Sequence, residues 1–425
     1  MQPRRRAMGG GSRTLDTMSS RRHRPDYQIL LYMALLMMLG LIMIYAIGPQ
    51  RAHVLNNAYG TDFYGSSHFF IKQSLSILVA VAAFVVASIT PYSFLQKHAR
   101  KILGLGFIAC LIVFFLGNVF HVESVVQCSL GACRWLDLGP LSLQPAEIVK
   151  FGLLLFTAGF LGVRAKQGLI DSRDKTLVPL GIVVGVAFLF IIVLQKDMGT
   201  GITVAAILAA MLFMAGLKLR TWLLLGIGMS LLTVVFILMA PHRLERIAAF
   251  MSGDSGSVSD AGTYHIAHAK IAIGSGGLTG VGIGNSVQAT GYLPEAINDS
   301  VFAVMGETFG FVGLIAILAI FTALLMRLLR VSEHLPDMRH KLLVVGVFGW
   351  VASHVILNVG AMTGVIPLTG ITLPLLSFGG TSMVFIAAIL GLCFQLSRYT
   401  VSSRRTTDSA TATWQSRGTT NRRKK

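Results

Sequence analysis

The segment GSGGLTGVGIGNSVQATGYLPEAINDSVFAVMGE, residues 274–307, determines how the rest of this chain is interpreted. It is the central part of a glycine-rich, mostly polar loop between Gly262 and Gly310, and strongly apolar segments flank that loop. Long loops without regular structure are usually functional. This one carries Glu295, Asp299 and Glu307, so the sequence predicts that the chemistry lies here.

Composition places the chain among membrane proteins. Hydrophobic residues make up 54% and charged residues 13%, and the mean hydropathy is +0.70, whereas about a quarter of the residues in soluble domains are charged. A helix needs about 20 apolar residues to cross a bilayer. Runs of about this length cover residues 29–47, 70–88, 102–120, 148–163, 178–194, 199–216, 222–240, 301–326, 342–362 and 376–396. We therefore predict an all-α polytopic membrane protein with about ten transmembrane helices.

The basic residues predict the orientation of these helices. The net charge is +18, and lysines and arginines lie in both tails and in alternate loops, such as Lys97 and Arg100 in one loop and Arg327 and Arg330 in another. Loops rich in Lys and Arg face the cytoplasm. Both termini are therefore predicted to be cytoplasmic, and the large loop 241–300, between helices seven and eight, extracytoplasmic. The charge indicates membrane topology and not nucleic-acid binding.

The chain divides into three parts. Residues 1–28 and 399–425 are predicted to be disordered basic cytoplasmic tails. Residues 29–398 form the predicted membrane domain. Its first apolar run is longer than the core of a signal peptide and lacks a small-x-small cleavage site after it, which predicts a retained span.

Asp299 lies where the large loop enters the eighth span. A carboxylate at the mouth of a span is partly desolvated, which suits it to accept a proton from a hydroxyl group. Asp and Ser are also preferred helix caps, so capping by Asp299 or Ser300 remains open, alone or together with catalysis. Glu295 follows Pro294 in the loop and is predicted to be solvated.

Two further sites place ionisable groups within the membrane. Glu307 is predicted about two turns inside the eighth helix, where a charged group usually faces a cavity or a partner. Glu147 and Lys150 are three residues apart and share a helix face. They are predicted to neutralise each other, either as a locked ion pair or as the lining of a headgroup site, with Arg134, Trp135 and Asp137 beside it.

Short connections supply other candidates. Lys196 and Asp197 lie in a turn that either is solvated or contributes to substrate binding, and Arg243 and Arg246 could grip a diphosphate or extend to the interface. His354 and Asn358, one turn apart, are predicted to form a hydrogen-bonded core pair or to line the polar interior.

The glycines and cysteines exclude some functions. Gly276, Gly280 and Gly284 follow no predicted strand and precede no GK[ST], so a nucleotide loop is excluded. They indicate an anion cradle or a close path through protein. Cys128 and Cys133 either form a local disulfide or remain thiols, while Cys110 and Cys393 are packing residues within spans. His, Cys and carboxylates nowhere show metal-ligand spacing; no cofactor is certain, and a divalent cation remains open.

Six ordered motifs resemble the SEDS family (shape, elongation, division and sporulation) of bacterial membrane glycosyltransferases. They are RWLDLGPLSLQPAEIVK, QKDMGT, PHRLERI, KIAIGSGGLTGVGIGNS, YLPEAINDSVFAVMGE and IPLTGITLPLLSFGGTSM. The sequences of the YLPEA and GNS motifs are more similar to the division branch of the family than to the elongation branch.

The resemblance implies polymerisation of lipid II into β-1,4 glycan strands at the outer face of the bacterial plasma membrane, with release of undecaprenyl diphosphate. Asp299 would be the general base and the glycosyl transfer inverting. The resemblance implies that three cationic residues bind the diphosphate: Arg243, Lys150 and Lys270. It also implies that three acidic residues orient and brace the substrate site: Glu147, Asp197 and Glu307. The implied partners are a class B penicillin-binding protein with transpeptidase activity and other divisome proteins.

Four positions depart from the family pattern: Lys196 replaces a proline, Ile297 and Asn298 replace a His-Thr-like pair, and Ser300 replaces an aromatic residue. These changes surround the carboxylate of Asp299 and do not remove it. The competing interpretations are a lipid II flippase, whose intramembrane charges would form the pathway, a catalytically silent scaffold, and an elongation-type polymerase.

Overall fold

The computed structural model describes residues 24–122, 125–129, 132–137, 139, 142–238, 244 and 261–400. Their helices are α1 (Tyr27–Tyr59), α2 (His68–Ile89), α3 (Tyr92–Phe114), α4 (Pro145–Lys166), α5 (Val178–Phe188), α6 (Met198–Met214), α7 (Leu219–Leu238), α8 (Ala261–Ser275), α9 (Val301–Glu333), α10 (Met338–Met362) and α11 (Gly380–Leu396). π-Helical turns at Phe115–Val119, Arg173–Leu177 and Leu189–Leu194 extend α3 and both ends of α5.

Within these described ranges, nine helical stretches are long and apolar enough to cross a membrane. They match nine of the ten predicted runs. The sixth run forms α6, which has 17 residues, the lower end of the length that spans a bilayer. The prediction of a polytopic helical membrane protein is confirmed.

The bundle is centred on α4, α10 and α11. In each of these helices, 72% of the most apolar window is buried inside the protein, compared with 28% for α2 and none for α7. The outer helices expose apolar side chains, as expected where the solvent is lipid. Helices α3 and α4 approach closely because Gly152 has no side chain: a Cβ at this position would lie 2.7 Å from the Leu103 backbone.

A small antiparallel sheet between α3 and α4 is absent from the all-α prediction. Its strands are β1 (Val126–Ser129), β2 (Ala132–Asp137) and β3 (Ser142–Leu143), in the order β1-β2-β3. Strands of two to six residues are too short to produce a detectable alternating pattern. Cys128 and Cys133 face each other across β1 and β2 and form a disulfide, which resolves the two alternatives left open by the sequence.

Two segments are more helical than predicted. The loop expected to lack regular structure contains α8, a 15-residue helix. Helix α1 has 33 residues, or about 50 Å at 1.5 Å per residue, so it extends well beyond the hydrocarbon core of about 30 Å. The apolar pattern could not predict this extension because half of residues 49–58 are polar, among them Arg51, Asn56 and Asn57. Most of both predicted tails, residues 1–23 and 401–425, lies outside the described residues.

Candidate active site

The glycine-rich segment is paired through its backbone with a kink in α9. The helix opens at Gly310 (φ 67°, ψ −170°), and residues 277–282 exchange four backbone hydrogen bonds of 2.9–3.1 Å with residues 307–312. A Cβ on Gly310 would lie 2.3 Å from the nitrogen of Gly280, and one on Gly280 2.2 Å from the oxygen of Thr308. Glycine is required for this close approach. The pairing occupies N–H groups that an anion cradle would need.

Glu307 fastens the next part of the loop to α9. The residue is 2% exposed, and its carboxylate accepts hydrogen bonds from the Ser286 hydroxyl at 2.5 Å and from the N–H groups of Val287 at 3.0 Å and Gln288 at 3.2 Å. The predicted deep position is confirmed. These three donors are neutral groups of the loop, which makes Glu307 a brace between the loop and the helix.

Asp299 lies half-buried in the turn before α9. The side-chain amide of Asn358, on α10, donates to the backbone carbonyls of Asp299 and Ile371, each at 2.7 Å. The N–H of Phe378 donates to the carbonyl of Ile297 at 2.8 Å. Helix α10 and the connection that follows it therefore hold the turn of Asp299 in position.

Ser300, one of the two residues predicted to cap the helix, occupies the N-cap position of α9, but its side chain makes no capping hydrogen bond. Its hydroxyl donates instead to the carbonyl of Pro294 at 2.8 Å and lies 2.6 Å from Nε2 of His265. A hydroxyl has one proton, so Nε2 of His265 is the donor to the Ser300 oxygen. Helix α8 is thereby joined to the residue that follows Asp299.

A buried ion pair lies near the start of α4. The Lys150 ammonium is 2.8 Å from a Glu147 oxygen, and the two residues are 1% and 2% exposed. The same ammonium lies 3.5 Å from Nε2 of His354 and 4.6 Å from the centroid of the Trp350 ring. The predicted mutual neutralisation is confirmed. Among the described residues, Oε2 of Glu147 is buried without a hydrogen-bond partner, so the pair retains one acceptor.

One face of α10 connects the ion pair to Asp299. Trp350, His354 and Asn358 are spaced by four residues, which puts them on one helix face with about 6 Å of rise between successive members. His354 also contacts the carbonyl of Thr372 at 3.3 Å. Among the described contacts, His354 and Asn358 bind different groups, so the prediction that they bond to each other is wrong and the alternative, a shared polar lining, is supported.

Asp197 is buried and not solvated, contrary to one of the two predictions for its turn. It is 7% exposed and caps α6 by accepting from the N–H and the hydroxyl of Thr200, at 2.9 and 2.8 Å. The side chain of Gln144 donates to it at 3.1 Å. Local polarity suggested exposure, but the start of α4 covers the turn.

Two charged residues of β2, Arg134 and Asp137, bind different groups. Arg134, predicted beside the Glu147–Lys150 pair, instead donates to the carbonyls of Gln195 at 3.0 Å and Lys196 at 2.8 Å and so flanks the Asp197 turn. Asp137 remains within the sheet. The N–H of Gly139 and the side chain of Gln127 donate to it and hold its pKa below the ordinary value.

Three other candidates differ in position. Lys270 is on α8, exposed, with its side chain against Gly364 in the connection after α10. Glu295 pairs with Arg51 at 3.3 Å and keeps 48% of its side chain exposed, consistent with its predicted solvation. Arg243, like Arg246, lies outside the described residues. No group of three or more His, Cys, Asp or Glu suited to a metal occurs in the described part of the chain.

Comparison with known proteins identifies the family. The model of the FtsW/RodA/SpoVE family, described as cell cycle proteins, matches residues 27–402. The chain belongs to this family. FtsW/RodA/SpoVE membership agrees with the resemblance that the six motifs indicated, and the match extends from α1 to the end of α11.

Full-length relatives and a solved structure support the family assignment. Stage V sporulation protein E of Bacillus subtilis is 33% identical over 387 residues, 90% of this chain and 99% of that protein. A probable peptidoglycan glycosyltransferase FtsW of Nitrosomonas europaea is 31% identical over 379 residues, 88% and 93% of the two chains. A chain from a structure on the coordination of polymerization and crosslinking by a peptidoglycan synthase complex superposes with a TM-score of 0.67, at 24% identity over 88% of this chain and 98% of that one. It shows that the family fold is shared.

Sequence reasoning missed four contributors to this family site: His265, Ser286, Gln144 and Trp350. For Trp350 a signal was available, because it precedes His354 and Asn358 at the same four-residue spacing. The other three act on carboxylates or hydroxyls distant in the sequence, and no local pattern identifies them.

Proposed function

We propose that this chain is a peptidoglycan glycosyltransferase that polymerises lipid II into β-1,4 glycan strands, with septal wall synthesis in cell division as its setting. The relatives named FtsW support the reaction class and the setting. The observation that carries the proposal is the α10 face: Asn358 holds the turn of Asp299, and His354, one turn away, contacts the buried Lys150. One helix thus brings a candidate base and a buried charge pair together.

In the proposed reaction, Asp299 accepts the proton of the acceptor sugar's 4-hydroxyl as its oxygen attacks the anomeric carbon of the donor. The bond between that carbon and the diphosphate oxygen breaks, its electrons leave with undecaprenyl diphosphate, and the anomeric centre is inverted. No group beyond the two substrates and the carboxylate is needed to balance this step.

Cations near the leaving group would stabilise its developing charge. Lys150 already has Glu147 as its partner, so the net charge it offers a diphosphate is small. Lys270 and Arg243 are therefore assigned to the diphosphate, with Glu147 orienting Lys150. Asp197 supports the site by fixing the start of α6, and Glu307 by bracing the loop.

The proposed setting is the outer face of the bacterial plasma membrane. The alternating basic loops support an orientation with both termini in the cytoplasm and α8, Asp299 and the small sheet outside. The Cys128–Cys133 disulfide is of a kind that persists in oxidising compartments. A class B penicillin-binding protein is the proposed partner, in keeping with the structural similarity to a chain of a peptidoglycan synthase complex.

The test is glycan formation from purified lipid II by the purified full chain together with its candidate transpeptidase partner. Wild type is compared with Asp299→Ala, Asp299→Asn and the matched control Asp62→Ala, whose carboxylate is exposed in the loop after α1. We expect polymer from wild type and the control and none from the two Asp299 variants, with melting temperature and partner binding unchanged.

Two results would overturn the proposal. Polymerisation by both Asp299 variants at the wild-type rate would remove the assigned base. If wild type produces no polymer but moves lipid II between leaflets, the buried Glu147–Lys150 pair belongs to a transport pathway and the protein is a flippase.

A further inference from the structure

A cluster of aromatic rings lies beside the candidate site and takes no part in the proposed chemistry. Tyr264 and His268 are one turn apart on α8, with ring centroids 4.1 Å apart. The ring of Tyr292, in the loop before Asp299, is nearly parallel to that of His268, with an interplanar angle of 13° and centroids 6.1 Å apart. These two contacts join the three rings into one cluster, which we name the aromatic platform.

The platform is open on one side and fixed on the other. Tyr292 is 53% exposed, whereas Nδ1 of His268 lies 2.7 Å from Oε1 of the buried Gln288. An amide oxygen only accepts, so Nδ1 carries a proton, and Nε2 is an acceptor whenever the ring is neutral. The N–H of Gln288 donates to Glu307 and its carbonyl accepts from Leu293 at 2.9 Å. The His268 ring and the backbone next to Tyr292 are therefore held in place before any ligand binds.

The distance from the platform to Asp299 is short. His265 contacts Ser300, the residue after Asp299. His268 is three residues further along the same helix, a rise of about 4.5 Å. A chain of sugars whose reacting end lies at Asp299 therefore needs to extend only a few rings to reach the platform.

We propose that Tyr292 and His268, supported by Tyr264, form a saccharide-binding platform that retains the glycan strand between successive additions. The inference rests on the proposed polymerase function and adds a binding site for a β-1,4-linked amino-sugar oligosaccharide. Sugar rings have one face of C–H bonds, and aromatic rings carry negative charge on their faces and positive charge on their edges. A stacked sugar therefore contacts the ring faces, while Nε2 of His268 accepts from a sugar hydroxyl or amide.

Exposed tyrosines in membrane proteins also occur in the aromatic belt at the bilayer interface. An interfacial role and a saccharide-binding role for Tyr292 predict different effects of its replacement. An interfacial tyrosine would contribute to insertion and melting temperature, whereas a platform tyrosine contributes to strand length. Tyr59, at the end of α1, is 69% exposed and makes no described ring stack, so Tyr59→Ala is the matched control.

The first experiment measures the glycan length distribution and the rate of lipid II consumption for the full chain with its partner. We expect Tyr292→Ala to shorten the mean strand about three- to tenfold, a larger effect than on lipid II consumption. Tyr292→Phe, which keeps the ring, retains long strands, and Tyr292→Leu, which keeps apolar area without a ring, does not. Tyr59→Ala changes neither quantity.

The second experiment does not require the polymerase to be active. Binding of chitotetraose, a β-1,4-linked tetramer of N-acetylglucosamine, is measured by saturation-transfer NMR on wild type, Tyr292→Ala, His268→Ala and Tyr59→Ala. Loss of the signal in the first two variants only supports the platform.

Equal strand lengths in wild type and Tyr292→Ala, or an equal effect of Tyr59→Ala, would overturn the inference, as would undiminished chitotetraose binding by both platform variants. If wild type produces no polymer but binds chitotetraose through Tyr292, the proposed reaction fails and the saccharide site stands.

Discussion

The amide of Asn358 donates to the backbone carbonyl of Asp299 at 2.7 Å, across 59 residues of sequence. Asn358 is 1% exposed, and the same amide group also donates to the carbonyl of Ile371, in the connection after α10. A backbone hydrogen bond of this kind fixes the peptide from which the Asp299 side chain extends. The orientation of the candidate base therefore depends on α10 and not on the loop alone.

Replacing Asn358 should reduce activity by misplacing Asp299. Asn358→Ala leaves two carbonyls without their donor, which costs about 1–3 kcal/mol of stability, and a small shift of a catalytic group can reduce the rate about 100-fold. We expect polymerisation to fall mainly in kcat, with KM for lipid II little changed. Asn118→Ala, which removes an exposed amide bonded within its own helix, serves as the control; equal kcat in the two variants would contradict the positioning role.

The Glu147–Lys150 pair should be more costly to break than to remove. Lys150→Met leaves a buried carboxylate without its cation and should destabilise the protein by about 3–5 kcal/mol, whereas the double variant Glu147→Gln/Lys150→Met should recover most of that loss. Denaturant unfolding in detergent measures the free energy of unfolding of both variants.

Lys166→Met is the matched control on the same helix. Lys166 pairs with Asp337 at 3.6 Å and is 57% exposed, so its loss should cost less than about 1 kcal/mol. A Lys150→Met variant as stable as Lys166→Met would contradict the burial of the pair.

Glu307 should control the order of the loop more than the chemistry. Glu307→Ala removes the acceptor for the Ser286 hydroxyl and two N–H groups, which should cost about 2 kcal/mol or more. We expect faster hydrogen exchange at residues 286–288 and new protease cleavage in the loop. Glu333→Ala, at the exposed far end of α9, should leave both unchanged; unaltered exchange at 286–288 in Glu307→Ala would rule out the brace.

Asp337, which caps α10, should make stability depend on acid pH. Burial opposes its ionisation, but hydrogen bonds from the Arg339 side chain and N–H outweigh that and hold the pKa of Asp337 well below its ordinary value. The carboxylate therefore stabilises the fold fully above the unfolded pKa of about 3.9, and this contribution is lost as the pH falls further. The melting-temperature difference between wild type and Asp337→Asn should be constant from pH 8 to about 5 and shrink below about 4; a constant difference down to pH 3 would contradict the shift.

Local sequence patterns were sufficient to predict the membrane spans and the Glu147–Lys150 ion pair. Predicted runs 301–326 and 342–362 became Val301–Glu333 and Met338–Met362, because an apolar run of about 20 residues has few alternatives to a membrane helix. Glu147 and Lys150 were paired from their three-residue spacing. In both cases the information lies within a few helical turns.

The environment of Asp299 depends on contacts that local patterns do not contain. Its turn is held by α10, and the N–H groups of the glycine-rich loop meet a helix that opens at Gly310. Asp197 looked solvated because its neighbours are polar, yet Gln144 covers it from 53 residues away. Predicting these features requires knowing which helices are neighbours.

The contact between His265 and Ser300 provides the last prediction. Ser300 is fully buried and His265 is 9% exposed, so Ser300→Ala leaves the Nε2 donor of His265 without this acceptor and should cost about 1–3 kcal/mol. His265→Ala should lower the free energy of unfolding by a similar amount. The double variant should lose less than the sum of the two single losses, since the same contact is lost in all three variants. We expect the same pattern in kcat for lipid II polymerisation, because the contact joins α8 to the turn of Asp299. The control is Ser275→Ala, whose hydroxyl bonds within α8. Strict additivity of the His265 and Ser300 variants in both unfolding free energy and kcat would show that the two side chains act independently and that α8 does not position the candidate base.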